Sequence, residues 1–235
     1  MKLIRPSVEL LDVTKDPLKV IEHAGRTCYK SECKITDNSA EAFVQMILDR
    51  GHEAMIEHAN MSMRFVCDRG VTHEIVRHRL FSYAQESTRY CNYKGGVTFI
   101  IPNWIERIPS DTYSIGWNKK LGRCESHPFM DSTPSDNKIM PEHRWFWHMA
   151  IAERDYVRLL DEGWKPQQAR SVLPNSLKTE IVVTGNLREW RHFFRLRCAK
   201  AAHPQMREVA DKALSIAYNA VPVIFDEFVV DDKDG

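Results

Sequence analysis

The stretch RHRLFSYAQESTRY, residues 77–90, holds the side chains whose types and spacing best suit chemistry. Arg77, His78 and Arg79 are consecutive, and Gln85, Glu86, Ser87, Thr88 and Arg89 follow within a dozen residues. Such a cationic cluster repels itself unless an anion sits on it. Two guanidiniums one residue apart present forked donors that match phosphate or carboxylate oxygens. His78, flanked by both, is expected to lose proton affinity and stay neutral, free to donate or accept. The plain alternative is a solvated basic turn. The third arginine, the hydroxyls and the amide favour an anion site.

That site must be local. The 235 residues carry 33 Lys+Arg against 32 Asp+Glu, a net charge of +1, so no global field draws the chain to nucleic acid or a membrane. An apolar content of 43% and a charged content of 28% describe an ordinary globular protein, long enough for one domain with a full core. The opening MKLIRPSVELL has no signal-peptide core, and no apolar run is long enough to span a bilayer. The cysteines at 28, 33, 67, 91, 124 and 198 form no C-x-x-C pair, which suits reduced thiols and a cytoplasmic location.

Positioning elements follow from periodicity. Residues 2–13 predict a strand or two short ones, and Asp16-Pro17 opens a helix to about Arg26. Asp37 to Arg50 predicts a second helix, capped by Asp37, Asn38 or Ser39 and stopped by Gly51. Met61, Met63 and Phe65 alternate as a half-buried strand. A turn at Asp68-Arg69-Gly70 then leads to a helix from about Thr72 to Leu80. This helix would present Glu74, Arg77 and His78 together at its end, with 82–89 as a loop or further turn. VTFII (97–101) reads as a strand stopped by Pro102. Pattern dissolves over 103–140, a surface excursion or lid.

Pro141 opens the longest helix, ended by Gly163. Its stripe of Trp145, Met149, Ala152, Tyr156 and Leu159/Leu160 marks a core or subunit interface. A short helix at 166–173 carries Arg170, Ile181–Val183 is a short strand, and the run from Pro204 closes the chain, interrupted at Pro222.

Two other motifs invite chemistry. In GHEAMIEH, residues 51–58, His52 and His58 are six apart, about 600° round a helix, so they diverge and no metal site is expected. A loop whose Glu57 and His58 tie backbone groups is the simpler reading. NLREWRHFFRLRCAKAAH, residues 186–203, sets Arg188, Arg191, Arg195, Arg197 and Lys200 against Glu189 alone. Leu187, Trp190, Phe193, Phe194 and Leu196 supply its buried face. The basic face suits a solvated surface, a nucleic-acid stripe or a second wall of an anion site.

Together these blocks resemble the flavin-dependent thymidylate synthases. RHR separated by seven residues from Ser87 has the form of that family's R-H-R-x7-S signature. GHEAMIEH looks like its G-H-E-x-x-x-E-H segment, ARSVLP like A-R-x-V-L-P, and NLREWRHFFRLR like N-x-R-x-x-x-x-F-x-x-L-R. The resemblance implies an α/β domain, a central mixed β-sheet flanked by helices, in a homotetramer with active sites between subunits. It implies FAD as bound cofactor, with NADPH and methylenetetrahydrofolate as co-substrates, dUMP as the methyl acceptor, and no metal. The flavin would do the redox work while the protein binds, orients and polarises.

Roles carry over onto matching positions. The resemblance places His52, Ala54, Arg77, His78, Arg79, Gln85, Asn186, Arg188 and His192 at the flavin. It places Glu74, Arg77, Gln85, Glu86, Ser87, Thr88, Arg89, Arg170 and Arg197 at dUMP. Arg197 matches the arginine that binds uracil and favours its N3-deprotonated form, a sensible catalytic role because a cation there stabilises developing negative charge. Ser87 has no general base beside it in sequence and is assigned to binding. The chain departs from the common pattern at Glu74, where Gln is frequent, at Gln85, where Glu is, at Cys28, where a small hydroxyl residue is, and at His192, where Asn is. Rival readings are a catalytically inactive FAD- and nucleotide-binding homologue and a nucleic-acid-binding protein.

Overall fold

The computed structural model describes residues 1–106 and 141–230 and, between them, the backbone of three short strands at 113–114, 116–118 and 123–125. Most of the expected excursion or lid at 103–140 lies outside the described residues. The strands are β1 Lys2–Ile4, β2 Ser7–Val13, β3 Asn60–Asp68, β4 Ser82–Gln85, β5 Thr98–Ile100, β6 Tyr113–Ser114, β7 Gly116–Asn118, β8 Arg123–Glu125 and β9 Lys178–Asn186. The helices are α1 Pro17–Cys28, α2 Ser39–Asp49, α3 Arg69–Ile75, α4 Pro141–Asp161, α5 Pro166–Ala169, α6 Leu187–Arg197, α7 Pro204–Ala220, α8 Pro222–Phe225 and α9 Glu227–Val230. A short 3-10 helix spans Glu53–His58. Mixed parallel and antiparallel pairing is as expected of the fold class, distributed over separate sheets.

The chain divides into two compact units. The first comprises Met1–Pro6, Cys67–Gly70 and Gln85–Thr179. Its three-stranded sheet runs β5-β1-β6, with β1 parallel to β5 (Leu3 opposite Phe99) and antiparallel to β6 (Leu3 opposite Tyr113). Met149, Ala152 and Tyr156 of α4 are buried with Leu3, Val97, Phe99, Ile101 and Leu177, while Trp145, Leu159 and Leu160 pack half-buried against the same cluster. The stripe on α4 therefore serves this core. Gly163 ends that helix region at φ +95°, a left-handed conformation that glycine adopts without a Cβ clash.

The second unit comprises Ser7–Val66, Val71–Ala84 and Glu180–Gly235. Its sheet runs β2-β3-β9-β4. Period-two burial is plain in β3, where Met61, Met63 and Phe65 are buried, and in β9, where Ile181 and Val183 are. The strand expected at 181–183 thus extends to nine residues. Helix α7 packs on β2 and α1 on α2. Trp190 anchors an aromatic cluster, stacked on Phe65 at 6.3 Å and Phe194 at 5.7 Å and tilted against Phe81 at 4.6 Å. Its indole N–H donates to the Met61 carbonyl at 3.0 Å, so the polar edge is satisfied inside the core. Gly185 leaves room for Phe81 here: a Cβ would lie 2.1 Å from Phe81 Cδ1 and force the ring to move.

Several boundaries differ from expectation. No turn occupies 68–70, because α3 already begins at Arg69, and it ends at Ile75, before the RHR triplet. The chain tightens there: Arg77 N–H bonds Glu74 O at 3.2 Å and His78 N–H bonds Ile75 O at 3.1 Å. The Tyr83 hydroxyl sits 2.8 Å from the Ile75 carbonyl and 2.6 Å from that of His78, closing the turn from the other side. Residues 82–85, expected as loop, form β4. The α2 cap is not a side chain at its N-cap Asn38. Ser39 does not cap it either: its Oγ accepts from Thr36 N–H, before the helix, at 2.9 Å and reaches Glu22 Oε2 at 2.9 Å. Gly51 follows at φ +68°, and the closing helix breaks at Pro222, both as expected.

Candidate active site

In the second unit the turn after α3 exposes Arg77 and Arg79 and buries His78 between them, at 4% exposure. Among the described residues neither flanking guanidinium has a carboxylate partner. His78 Nε2 accepts from Arg197 Nε–H at 3.0 Å, and its Nδ1 lies 3.5 Å from Glu189 Oε1. Since Nε2 is an acceptor, the proton of the neutral ring belongs on Nδ1. Burial holds the His78 pKa down at about 4, with smaller contributions from Arg197 and His192. The expected neutrality stands, but its cause is corrected. Arg77 and Arg79 point into solvent, where water screens them, so desolvation and Arg197 outweigh them.

Arg197, half-buried at the end of α6, also donates from Nη1 to Glu74 Oε2 at 2.8 Å and from Nη2 to the Glu74 carbonyl at 3.1 Å. Among the described residues three of the five guanidinium N–H groups are thereby used, leaving one on each terminal nitrogen. Two nucleotide candidates, Glu74 and Arg197, are thus brought together with a flavin candidate, His78. Glu189 was missed. A lone acid in an arginine-rich helix was the available signal, since a first-turn carboxylate reads equally well as a response to the helix dipole.

The remaining flavin candidates are more dispersed. His52 and Ala54 are exposed at the start of the 3-10 helix. Asn186 caps α6, its Oδ1 accepting Glu189 N–H at 2.8 Å. His192 is exposed, its ring centroid 5.6 Å from that of His78. Arg188 is held by Glu57 at 2.6 Å and Glu53 at 3.6 Å, which raises its pKa, so Glu57 serves a side chain rather than backbone groups.

Two assignments on α6 are corrected. Arg191, expected on the basic face, is buried, bonded to Glu53 at 3.2 Å, Glu227 at 2.9 Å and the Ile224 carbonyl. Leu196, expected in the core, is exposed. Arg195 also meets Glu227, at 3.3 Å. Acids distant in sequence therefore neutralise much of this helix, which removes the nucleic-acid stripe as a continuous positive surface.

In the first unit, Arg170 Nη1 donates to the buried Thr88 Oγ1 at 2.8 Å, joining two nucleotide candidates. Glu86 receives the Tyr93 hydroxyl at 2.8 Å and Lys178 Nζ at 3.1 Å, so both its oxygens are engaged within the chain. Burial and this carboxylate push the Tyr93 phenol up, keeping it a donor. Gln85 Nε2 donates to Thr179 Oγ1 at 3.3 Å. Ser87 Oγ accepts Arg89 N–H at 3.3 Å, a turn bond rather than an activation. Arg89 is exposed, with its guanidinium 5.5 Å from the Tyr90 ring centroid. Neither partner belongs to a motif: Tyr93 lies seven residues on, and Lys178, 92 residues away, could not have been read from the sequence.

Among the described residues no three His, Cys, Asp or Glu side chains converge to hold a metal, and no helix is long and apolar enough to cross a membrane. The donor set suits a flavin dinucleotide. Arg77 and Arg79 keep charge available for a pyrophosphate, and neutral His78 adds no fixed charge of its own.

Comparison with known proteins shows the family. The family model described as "Thymidylate synthase complementing protein" matches residues 9–223. A flavin-dependent thymidylate synthase of Corynebacterium glutamicum is 33% identical over 218 residues, covering 90% of this chain and 80% of that protein. The enzyme of the same description from Geobacter sulfurreducens is 30% identical over 226 residues, covering 93% and 84%. The fold is shared with a UMP/dUMP methylase of Streptomyces cacaoi solved with 5-Br dUMP, at TM-score 0.72 and 23% identity over 98% of this chain and 97% of that one. With the four motifs in order, the family model matched over residues 9–223 and relatives 30–33% identical over most of its length, the chain belongs to the flavin-dependent thymidylate synthase family.

Proposed function

We propose that this chain reductively methylates dUMP to dTMP, taking the carbon from methylenetetrahydrofolate and the reducing equivalents from NADPH through FAD. We further propose that it works as a single catalytic domain in a cytoplasmic homotetramer with active sites between subunits. The observation that carries the reading is Arg197, oriented by Glu74 and His78 with, among the described residues, two N–H donors to spare.

Bound FAD supplies the hydride chemistry; this chain's residues bind, orient and polarise. Arg77 and Arg79 would hold the flavin's phosphates by charge-assisted hydrogen bonds, and His52, Ala54, His78, Gln85, Asn186, Arg188 and His192 would complete its surroundings. Arg170, Ser87, Thr88 and Arg89 would grip the nucleotide's phosphate and sugar, with Gln85 and Glu86 beside them. Arg197 would face uracil N3 and O4. A cation there favours loss of the N3 proton and so raises the nucleophilicity of carbon 5. Glu74 offsets part of that charge and, more usefully, fixes the plane of the guanidinium, so its remaining donors need no reorganisation as negative charge develops.

The test is a visible spectrum of the protein reconstituted with FAD, followed by turnover with methylenetetrahydrofolate. An oxidised-flavin spectrum that NADPH bleaches and dUMP perturbs, with dTMP formed, is the expected result. Flavin binding without dTMP would instead identify an inactive FAD-binding homologue.

A further inference from the structure

One carboxyl in the second unit is buried without a role in the chemistry described so far. Glu189 is only 6% exposed, at the third position of α6, and the N-x-R-x-x-x-x-F motif leaves that position unspecified. Its backbone N–H is satisfied by Asn186. Among the described residues its carboxylate has one side chain in ion-pair range, His78 through Nδ1 at 3.5 Å. Burial pushes its pKa up, opposed by His192, so the carboxylate sits at some cost in solvation.

On the far side of the His78 ring, Nε2 accepts from Arg197 Nε–H. A neutral imidazole can accept at Nε2 only if its proton is on Nδ1, and Nδ1 faces Glu189. The ring cannot turn freely, because Phe193 at 5.0 Å and Phe81 at 6.1 Å pack against it. We propose that Glu189 is a positioning residue for Arg197: it holds His78 as the Nδ1–H tautomer, so that Nε2 remains an acceptor for Arg197 Nε–H. Without that acceptor, an Nε2–H ring would meet the guanidinium donor to donor, and Arg197 would be held by Glu74 alone. This rests on the reading of Arg197 as the residue that meets uracil.

Neutron diffraction from deuterium-exchanged crystals locates the His78 proton directly, independently of turnover. The expected result in the wild-type protein is deuterium on Nδ1 and none on Nε2; deuterium on Nε2 overturns the proposal. Glu189→Met removes the acceptor at similar size, and Glu189→Gln keeps an amide oxygen able to accept. The Met variant is expected to shift deuterium to Nε2 and lower kcat/KM for dUMP about tenfold, the effect of one lost charge-assisted hydrogen bond, while flavin absorbance is retained. The Gln variant is expected to restore the wild-type tautomer and most of the activity. Unchanged tautomer and kinetics in Glu189→Met would overturn the proposal. A shifted tautomer with unchanged kcat/KM for dUMP would leave Glu189 setting the ring but would remove Arg197 from the substrate.

Discussion

Arg197 and Arg79 are both arginines of the motifs, yet their surroundings separate them. Arg197 has three of its N–H groups bonded to Glu74 and His78, which trades mobility for orientation. Its replacement by alanine is expected to lower kcat/KM for dUMP by at least about a hundredfold, as for loss of a preorganised donor facing developing charge, with FAD still bound. Near-normal turnover would refute that assignment. Arg79 is exposed and, among the described residues, free of carboxylates. Arg79→Ala is expected to weaken FAD retention about tenfold to a hundredfold in a flavin titration, the scale of one or two charge-assisted hydrogen bonds. Unchanged occupancy would assign the phosphates elsewhere.

At the scale of elements, the position of the RHR turn depends on how closely β9 approaches the aromatic cluster. Phe81 fills the space where Gly185 lacks a side chain, and Tyr83, two residues on, holds the carbonyls of Ile75 and His78. Gly185→Ala must displace Phe81. A loss of about 1–3 kcal/mol is expected in urea unfolding, typical of overpacking, together with weaker flavin binding as the turn shifts. A stability equal to wild type would mean that Phe81 repacks without disturbing the turn. The end of α6 obeys the same logic. Arg195 and Arg197 in its last turn suit the helix dipole, but it is Glu227 and Glu74 that decide where their charges go.

For the molecule as a whole, charge balance sets the pH response. His78 has a model-compound value of 6.5 but about 4 when folded, so between those limits the unfolded chain binds a proton that the folded chain refuses. Stability therefore falls as pH falls through that window, by at most about 3 kcal/mol from this residue. Glu189, whose folded carboxyl is pushed up, contributes the opposite slope in acid, because the folded chain takes up that proton first. Unfolding free energies measured from pH 6.5 down to 4 should decline more steeply in the wild type than in His78→Gln. Equal slopes would mean that His78 takes up its proton in the fold as it does in the unfolded chain.

Local chemistry is what the sequence by itself determined. Alternation placed Met61, Met63 and Phe65 in a strand's buried face, Pro222 marked the break in the last helix, and the spacing of RHR, Ser87 and the α6 motif pointed to the family. These features depend on neighbours a few residues apart, or on motifs that stay contiguous. Tertiary structure alone decided the pairings. Arg191 reads as a surface cation until Glu53, Glu227 and the Ile224 carbonyl close around it, and Glu86, placed at the nucleotide by resemblance, has both oxygens taken by Tyr93 and Lys178. His78 is neutral as its own segment suggested, but for a reason no local reading contained. Its environment is made by Arg197, Glu189 and Phe193, more than a hundred residues along the chain, and burial among them outweighs the two arginines beside it.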